Sequence, residues 1–216
     1  MIHLRACLLS GGESRRMGRD KALLPHPEGG TWLEQTLQLL AQLGAPITLL
    51  SRHPAHLQLA QQLNGRLSAN SNSIPQARIT AIAEPPPWEG PLLALHRLMQ
   101  HHPGEHLLLC PVDMPDLSLT ALLTLLAAAA ERPTQLHLAH DGERLQPLLG
   151  LYPSSVPIRT HLAAAVERGE RQLQRWLSEL PGQAVPLDPR AIRNVNRLTD
   201  DRAEPPRAAV HLEPPR

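Results

Sequence analysis

The sequence predicts one α/β domain in which a mostly parallel β-sheet carries helices on both faces and takes in a β-hairpin. Apolar strand-like runs and amphipathic helical stretches alternate four times over residues 2–131, which is typical of parallel strands joined by crossover helices. An Asp141-Gly142 turn then separates two further strand-like runs and predicts the hairpin. With 216 residues, the chain is long enough for one substantial core.

The first half of the chain contains four predicted strands, each followed by a helix. The first strand covers residues 2–10, and a glycine-containing loop separates it from a helix over 31–44. Thr31 is suited to cap the start of this helix, and Gly44 is suited to end it. The other strands are predicted at 46–51, 78–83 and 106–113, and the other helices at 53–63, 89–102 and 118–131.

The second half departs from this alternation. The hairpin strands cover 135–140 and 145–153, followed by helices at 157–168 and 171–180, a strand at 184–187 and a turn at 194–196. Together these elements predict a single-domain Rossmann-like sandwich over residues 1–200. Residues 201–216 are rich in Pro, Arg and Ala without periodicity, so we expect a disordered tail.

Composition narrows the possible partners and the compartment. A net charge of +1 argues against a general nucleic-acid or membrane-surface binder. The most apolar segment, residues 119–130, is too short to span a bilayer, and the N-terminus shows no secretory signal. Cys7 and Cys110 lie inside predicted strands, where we expect buried free thiols in a reducing, cytoplasmic compartment. The 12 histidines lack zinc-site spacing and are expected at the surface.

Polar residues follow three of the predicted strands at their carboxyl ends, where ligands bind in doubly wound α/β sheets. A phosphate-rich ligand needs backbone N–H donors, cationic side chains and usually a metal held by a carboxylate. All three kinds of group occur here, although the sequence matches neither the P-loop nor the dinucleotide-binding pattern. The candidates are Ser10, Gly11, Gly12, Arg15, Arg16 and Lys21 after the first strand, Glu84 after the third and Asp113 after the fourth.

Each candidate also has a purely structural interpretation. The Gly-Gly pair could form a simple turn into a solvated basic helix, and a lone lysine is commonly a surface residue. Asp113 precedes Met-Pro and could cap a turn, and Asn194 and Asn196 could be ordinary turn formers. The decision between the two interpretations depends on whether the residues come together.

Several blocks of sequence resemble those of the molybdenum cofactor guanylyltransferases and their nucleotidyltransferase relatives. The first block is Leu9-Ser10-Gly11-Gly12 followed by Ser14-x-Arg16-Met17-Gly18-x-Asp20-Lys21. The later blocks, in the same order as in the family, are EGPLLAL at 89–95, CPVDMP at 110–115, HDGERLQPLLGLY at 140–152, GERQLQRWL at 169–177 and NVNRLTD at 194–200. The resemblance covers residues 4–200.

This resemblance implies transfer of GMP from GTP to the molybdopterin-bound molybdenum cofactor, with pyrophosphate as the second product. It implies Mg²⁺ as cofactor, with Asp113 as its ligand, and Lys21, Asp113 and Arg16 as catalytic residues; Arg15 is a less definite match. The implied GTP-binding residues are Leu9, Ser10, Gly11, Gly12, Lys21, Glu84, Gly90 and Asp113. The implied pterin-binding residues are Arg171, Asn194 and Asn196, with a looser match at Asp141–Arg144.

Two departures from the family pattern concern the base. The family usually has an Asn after the second strand, where this chain offers Leu49, Leu50 or Ser51, and an Asp after the third, where it has Glu84. A sister enzyme that uses CTP or another small phosphorylated substrate, or a non-catalytic nucleotide-binding protein, therefore stays open as an alternative. Proteins that hand over the cofactor or mature molybdoenzymes are conceivable partners; nucleic acid and membranes are not expected.

Overall fold

The computed structural model describes residues 2–12, 19–69 and 78–195, and these form a three-layer α/β sandwich around a seven-stranded sheet. The strands lie in the order β3-β2-β1-β4-β6-β5-β7. Their bounds are β1 Leu4–Leu9, β2 Ile47–Ser51, β3 Ile79–Ala83, β4 His106–Pro111, β5 Leu136–His140, β6 Leu145–Pro153 and β7 Gly182–Pro186. The predicted fold class is confirmed.

One strand of this sheet, β6, runs against its neighbours. It pairs antiparallel with both β4 and β5, whereas the pairs β1–β2, β1–β4, β2–β3 and β5–β7 are all parallel. The predicted hairpin is confirmed: the Asp141 backbone N–H donates to the Arg144 carbonyl at 3.2 Å, and Asp141 Oδ1 accepts from the N–H groups of Glu143 and Arg144. The hairpin thus places β6 beside β4, next to the carboxyl end where Asp113 follows.

Helices cover both faces of the sheet, as predicted. They are α1 Trp32–Ala41, α2 Pro54–Ala69, α3 Pro91–His101, α4 Leu119–Glu131, α5 Val156–Glu167 and α6 Leu173–Leu177, and a 3-10 turn covers Lys21–Leu23. Thr31 caps α1 through a capping box with Glu34, which confirms the predicted start. The last helix is shorter than predicted because the Glu170 carboxylate accepts from the N–H groups of Arg171 and Gln172, which holds these residues outside the helix.

The two faces of β1 show how the core divides. Ala6 and Leu8 pack into the cluster beneath α1, α2 and α4, while Cys7 packs into the cluster beneath α3, α5 and α6. This is the alternation expected of a strand buried on both faces. Cys7 and Cys110 are buried free thiols, as predicted, and burial raises the pKa of both.

Some predictions concern residues outside this description. Arg15 and Arg16, Asn196 and the tail 201–216 lie outside the described residues. Among the helices that the structure does describe, none has the length and apolar character needed to cross a membrane.

Candidate active site

A cavity of about 560 Å³ opens at the carboxyl ends of β1, β2, β3 and β4. The parallel strands bring their carboxyl ends to one edge of the sheet, so residues distant in sequence meet there. Every residue predicted to bind GTP lines this cavity: Leu9, Ser10, Gly11, Gly12, Lys21, Glu84, Gly90 and Asp113. Their convergence is a finding of the structure, and their contacts with nucleotide remain predictions.

Gly11 and Gly12 matter for their lack of a side chain and not for an unusual backbone conformation. Neither Gly11 nor Gly12 has a positive φ. A Cβ built on Gly11 would lie 2.9 Å from Glu84 Oε2, closer than real Cβ atoms approach, whereas a Cβ on Gly12 meets no atom of residues 2–12, 19–69 or 78–195 within 4 Å. Gly11 therefore lets β1 and the Glu84 side chain approach each other, and Gly12 leaves its backbone open to the cavity.

Lys21 and Asp113 face each other inside the cavity. Lys21 Nζ lies 3.5 Å from Asp113 Oδ2, and the two side chains are only 15% and 24% exposed. Burial raises the pKa of Asp113, and the Lys21 charge partly opposes this shift. Lys21 is also the only lysine among 21 Lys and Arg residues. The use of a compact ammonium at this position, in a chain that otherwise uses arginine, was a signal available in the sequence.

One carboxylate oxygen of Asp113 has no hydrogen-bond partner among the described residues. This atom, Oδ1, is buried. An orphaned carboxylate oxygen beside a cavity suits a hard divalent cation whose other ligands come from phosphate and water. In the described part of the chain, no cluster of three or more His, Cys, Asp or Glu side chains is suited to hold a metal. A site completed by substrate is therefore the kind that this carboxylate fits.

The turn that carries Lys21 is fixed by its neighbour Asp20. Asp20 Oδ1 accepts from the Ala22 backbone N–H at 3.1 Å and caps the 3-10 turn. Its other oxygen, Oδ2, lies 2.7 Å from Nε2 of His56. The expectation that the histidines lie at the surface is wrong for His56 and also for His137, since both are fully buried. Helix α2 packs His56 toward the sheet, which the spacing of histidines along the chain does not reveal.

The part of the cavity after β2 and β3 includes residues that the sequence did not single out. Of the residues after β2 that were offered in place of the family's Asn, Leu50 lines the cavity, whereas Ser51 is buried and donates to the Ser10 carbonyl. Its neighbour Arg52 lines the cavity, with its guanidinium carbon 5.1 Å from the centroid of the Trp88 ring. Trp88 is half-exposed, and its Nε1–H donates to the Glu84 carbonyl at 3.0 Å. Both residues follow strand ends and could have been found by that position.

Glu84 is held by an arginine from the neighbouring helix. Arg97 Nη1 on α3 donates to Glu84 Oε1 at 2.7 Å, and its Nη2 donates to the Pro87 carbonyl at 3.0 Å. Both side chains are largely buried. Arg97 thereby fixes the carboxylate and the proline-rich loop after β3 together. It lies in the middle of a helix, so sequence position alone did not indicate it.

On one side of the cavity, the hairpin connects to the chain segment after β7. Asn194 Nδ2 donates to Gln146 Oε1 at 3.0 Å, and Gln146 Nε2 donates to Asp141 Oδ2 at 2.6 Å. The Val195 backbone N–H donates to the Asp113 carbonyl at 2.9 Å. Asn194 and the Asp141 turn, both predicted for the pterin, are thus joined through Gln146 beside the Asp113 strand end. Gln146 was not predicted.

Arg171, the other pterin candidate among the described residues, precedes α6 in the chain and lies in space beside Glu89 and Gly90, which precede α3. Its guanidinium forms an ion pair with Glu89 and donates to the Val166 carbonyl at 3.0 Å. Its carbonyl lies 3.9 Å from the position of a Cβ on Gly90, a residue that lines the cavity. Arg171 is therefore adjacent to the cavity, at the helix end that faces it.

Comparison with known proteins agrees with this arrangement. Residues 6–184 match the family described as MobA-like NTP transferase domain, so the chain belongs to this family of nucleotidyltransferases. A "Probable molybdenum cofactor guanylyltransferase" from Rhodopirellula baltica is 38% identical over 206 residues, which cover 91% of this chain and 89% of the relative. The predicted family and enzyme class are confirmed.

Solved structures show the same fold. Molybdopterin-guanine dinucleotide biosynthesis protein A from Archaeoglobus fulgidus superposes with a TM-score of 0.64 at 18% identity, over 91% of this chain and 94% of that one. Rv0371c from Mycobacterium tuberculosis, solved in complex with manganese, superposes with a TM-score of 0.54 at 16% identity, over 87% and 89% of the two chains. At these identities the likeness concerns the fold.

Proposed function

We propose that this protein transfers GMP from GTP to the molybdopterin-bound molybdenum cofactor, which yields its guanine dinucleotide form and pyrophosphate. The observation that carries the proposal is the pairing of Lys21 with Asp113 at 3.5 Å in the cavity that collects all eight predicted nucleotide residues. The 38% identical relative bears the name of this activity and supports the choice of substrates.

GTP binding requires donors for the triphosphate and a surface for the base. The Ser10 N–H donates to the Leu50 carbonyl at 3.3 Å, so the backbone donors proposed for the triphosphate are those of Gly11 and Gly12. The N-terminus of α3 at Gly90 adds the positive end of a helix dipole. The Lys21 ammonium neutralises phosphate charge at the centre of the cavity. Arg52 and Trp88 both line the cavity and offer a surface on which the base can stack. This stacking would replace the base contact of the Asn that the family has after β2.

The reaction itself asks little covalent work of the protein. A phosphate oxygen of the pterin attacks the α-phosphorus of GTP, and the bond from that phosphorus to the β-bridging oxygen breaks. The electron pair leaves with pyrophosphate, so one P–O bond forms and one is lost. Positioning and charge neutralisation supply the catalysis. Lys21 stabilises the negative charge that develops on the leaving oxygen, and Arg16, five residues earlier in the chain, is proposed to assist.

Asp113 is the residue proposed to hold Mg²⁺, through the carboxylate oxygen that lacks a hydrogen-bond partner among the described residues. When bound, a divalent ion supplies Lewis-acid neutralisation of the phosphate charge. The carboxylate must be ionised for this role, and the nearby Lys21 favours that form.

The second substrate is assigned to the side of the cavity next to β6. Asn194 and the Asp141–Arg144 turn are proposed to contact the pterin there, with Arg171 and Asn196 as further contacts. Proteins that deliver the cofactor or accept the product are proposed partners. The buried free thiols Cys7 and Cys110 support a reducing compartment, and we propose the cytoplasm.

Pyrophosphate release tests this function. The protein is incubated with the pterin cofactor, Mg²⁺ and GTP, CTP or ATP in parallel, and we expect release with GTP. Lys21→Ala should lower this turnover by about two to three orders of magnitude, as for loss of one electrostatic donor. Arg66→Ala, which removes an exposed cation that pairs with Glu34 and does not line the cavity, is the matched control and should not change it. Release with CTP alone would indicate the sister activity, and release with none would indicate a non-catalytic binder.

A further inference from the structure

His56 connects three segments of the chain below the cavity. Its Nδ1 atom lies 3.0 Å from Ser10 Oγ at the end of β1 and 2.9 Å from Ser51 Oγ at the end of β2. Its Nε2 atom lies 2.7 Å from Asp20 Oδ2, immediately before Lys21. One imidazole ring therefore ties the turn that carries Lys21 to the strand end that begins the glycine loop.

The hydrogen bonds define the state of the ring. Because Nε2 faces a carboxylate, it carries the proton and donates to Asp20. The Ser10 hydroxyl then donates to Nδ1. The Ser51 hydroxyl has one proton and two acceptors in reach, Nδ1 at 2.9 Å and the Ser10 carbonyl at 3.3 Å, and its oxygen accepts the His53 N–H at 3.1 Å. The ring is thus held between Asp20 on one side and the two serines on the other.

His56 is a polar residue in an otherwise apolar stripe of α2. His56 precedes Ala60 and Leu63 at helical spacing, and all three are buried by the side of α2 that packs on the sheet. Burying an imidazole in an apolar stripe costs free energy unless its partners are provided, and a Leu would fill the same space without that requirement. The polar residue is thus explained by what it holds, the Asp20 carboxylate.

We propose that His56 is a positioning residue for Lys21: by anchoring Asp20 to Ser10 and Ser51, it fixes the ammonium relative to the backbone that receives the nucleotide. This role rests on the proposed function, because it concerns the placement of the charge that neutralises the triphosphate. Asp20 transmits the constraint directly, since Oδ2 binds His56 while Oδ1 caps the turn that contains Lys21. His56 itself does not line the cavity.

Two substitutions separate the contacts of the ring. His56→Gln can still donate to Asp20, whereas His56→Asn reaches the serines and loses Asp20. Because misplacement of a catalytic group by about 1 Å can cost about a hundredfold, we expect the kcat of His56→Asn to fall by about 10- to 100-fold. His56→Gln should retain kcat within about threefold, and Asp20→Ala, which leaves no partner for Nε2, should lose at least as much kcat as His56→Asn. In the double variant the two losses should not add, as expected for residues acting through one contact.

The control is His102→Asn. His102 is also largely buried, with Nε2 3.0 Å from Thr48 Oγ1, but it lies near the opposite end of β2. It should lose thermal stability comparably and leave kcat unchanged. A wild-type protein that transfers no GMP overturns the proposed function and this role together. An active wild type whose His56→Asn kcat falls no more than that of His102→Asn overturns the role of His56 alone. If His56→Asn does not fold, a wild-type kcat in Asp20→Ala likewise overturns the role of His56.

Discussion

Asp113 lies in surroundings that favour its neutral form, although its proposed role needs the charged form. Burial raises its pKa above the ordinary value of 3.8, and the Lys21 ammonium offsets only part of that effect. An acid whose pKa is raised on folding is favoured in its protonated state, so its ionisation costs folding free energy. The ionised Asp113 thus lowers the free energy of unfolding, and we attribute its presence to its proposed role as a metal ligand.

Asp113→Asn should therefore raise the melting temperature at pH 7 while it abolishes most GMP transfer. Asn resembles the protonated acid, so the gain should be absent below pH 3.8, grow as the pH rises through the raised pKa, and stay constant above it. Calorimetry across this range measures the gain, and added Mn²⁺ should recover part of the transfer. Asp116→Asn, a more exposed aspartate that pairs with Arg193, is the control and should change neither. A lower melting temperature for Asp113→Asn would contradict this view of its environment.

At the same scale, the sequence indicated some residues and could not indicate others. Lys21 and Asp113 were predictable because each follows a strand end and belongs to a recognisable block. Arg97 and His56 lie within helices, and their contacts with Glu84 and Asp20 depend on which helix face meets the sheet. Such contacts are set by packing between elements, which a single sequence does not contain.

The two glycines after β1 have different surroundings. Gly11 allows the Glu84 carboxylate to reach β1, while Gly12 faces free space in the cavity. The sequence predicted that the glycines let phosphate approach the backbone. For Gly12 this stays a prediction. The crowding at Gly11 belongs to the protein's own packing.

Gly12→Leu should weaken GTP binding at least about tenfold without lowering the melting temperature. Its φ is not in the positive range and no atom of the described residues lies within 4 Å of the new Cβ, so we expect the side chain to extend into the cavity and exclude phosphate. Calorimetric titration with GTP measures the effect. Gly11→Ala is the informative comparison, since its Cβ meets Glu84 Oε2 at 2.9 Å and should cost stability as well. Unchanged GTP affinity in Gly12→Leu would remove the loop from the nucleotide site.

Gln146 joins the β5–β6 hairpin to the segment after β7 by hydrogen bonds to Asp141 and Asn194. Gln146→Leu keeps the side-chain size and removes the bonds to Asp141 and Asn194. We expect the KM for the pterin substrate to rise several-fold while the KM for GTP stays constant, because the residues proposed to bind the nucleotide lie at the ends of β1, β2, β3 and β4 or follow them. Steady-state kinetics with each substrate varied in turn makes this measurement. An equal rise in both KM values would show that this connection does not belong to one substrate.

At the scale of the whole molecule, the strand and helix alternation predicted the sandwich and the edge at which the site lies. The order of strands was not predictable, because it depends on crossovers and on the hairpin. In particular, β6 enters antiparallel between β4 and β5, which brings Leu148 to the cavity and Gln146 beside it, on the side opposite Arg52. The topology, rather than any local motif, gives the cavity one wall after β2 and β3 and another from β6.

The central claim is that this cavity transfers the nucleotidyl group of GTP rather than a terminal phosphate. The direct measurement follows the label from α-labelled and γ-labelled GTP in parallel single-turnover reactions with the pterin cofactor and Mg²⁺. We predict that the α-label enters the pterin dinucleotide and that the γ-label is recovered in pyrophosphate, both at the same rate and both slowed by about two to three orders of magnitude in Lys21→Ala. Recovery of the γ-label on the pterin or as free phosphate, with no α-label in the pterin product, would contradict this claim.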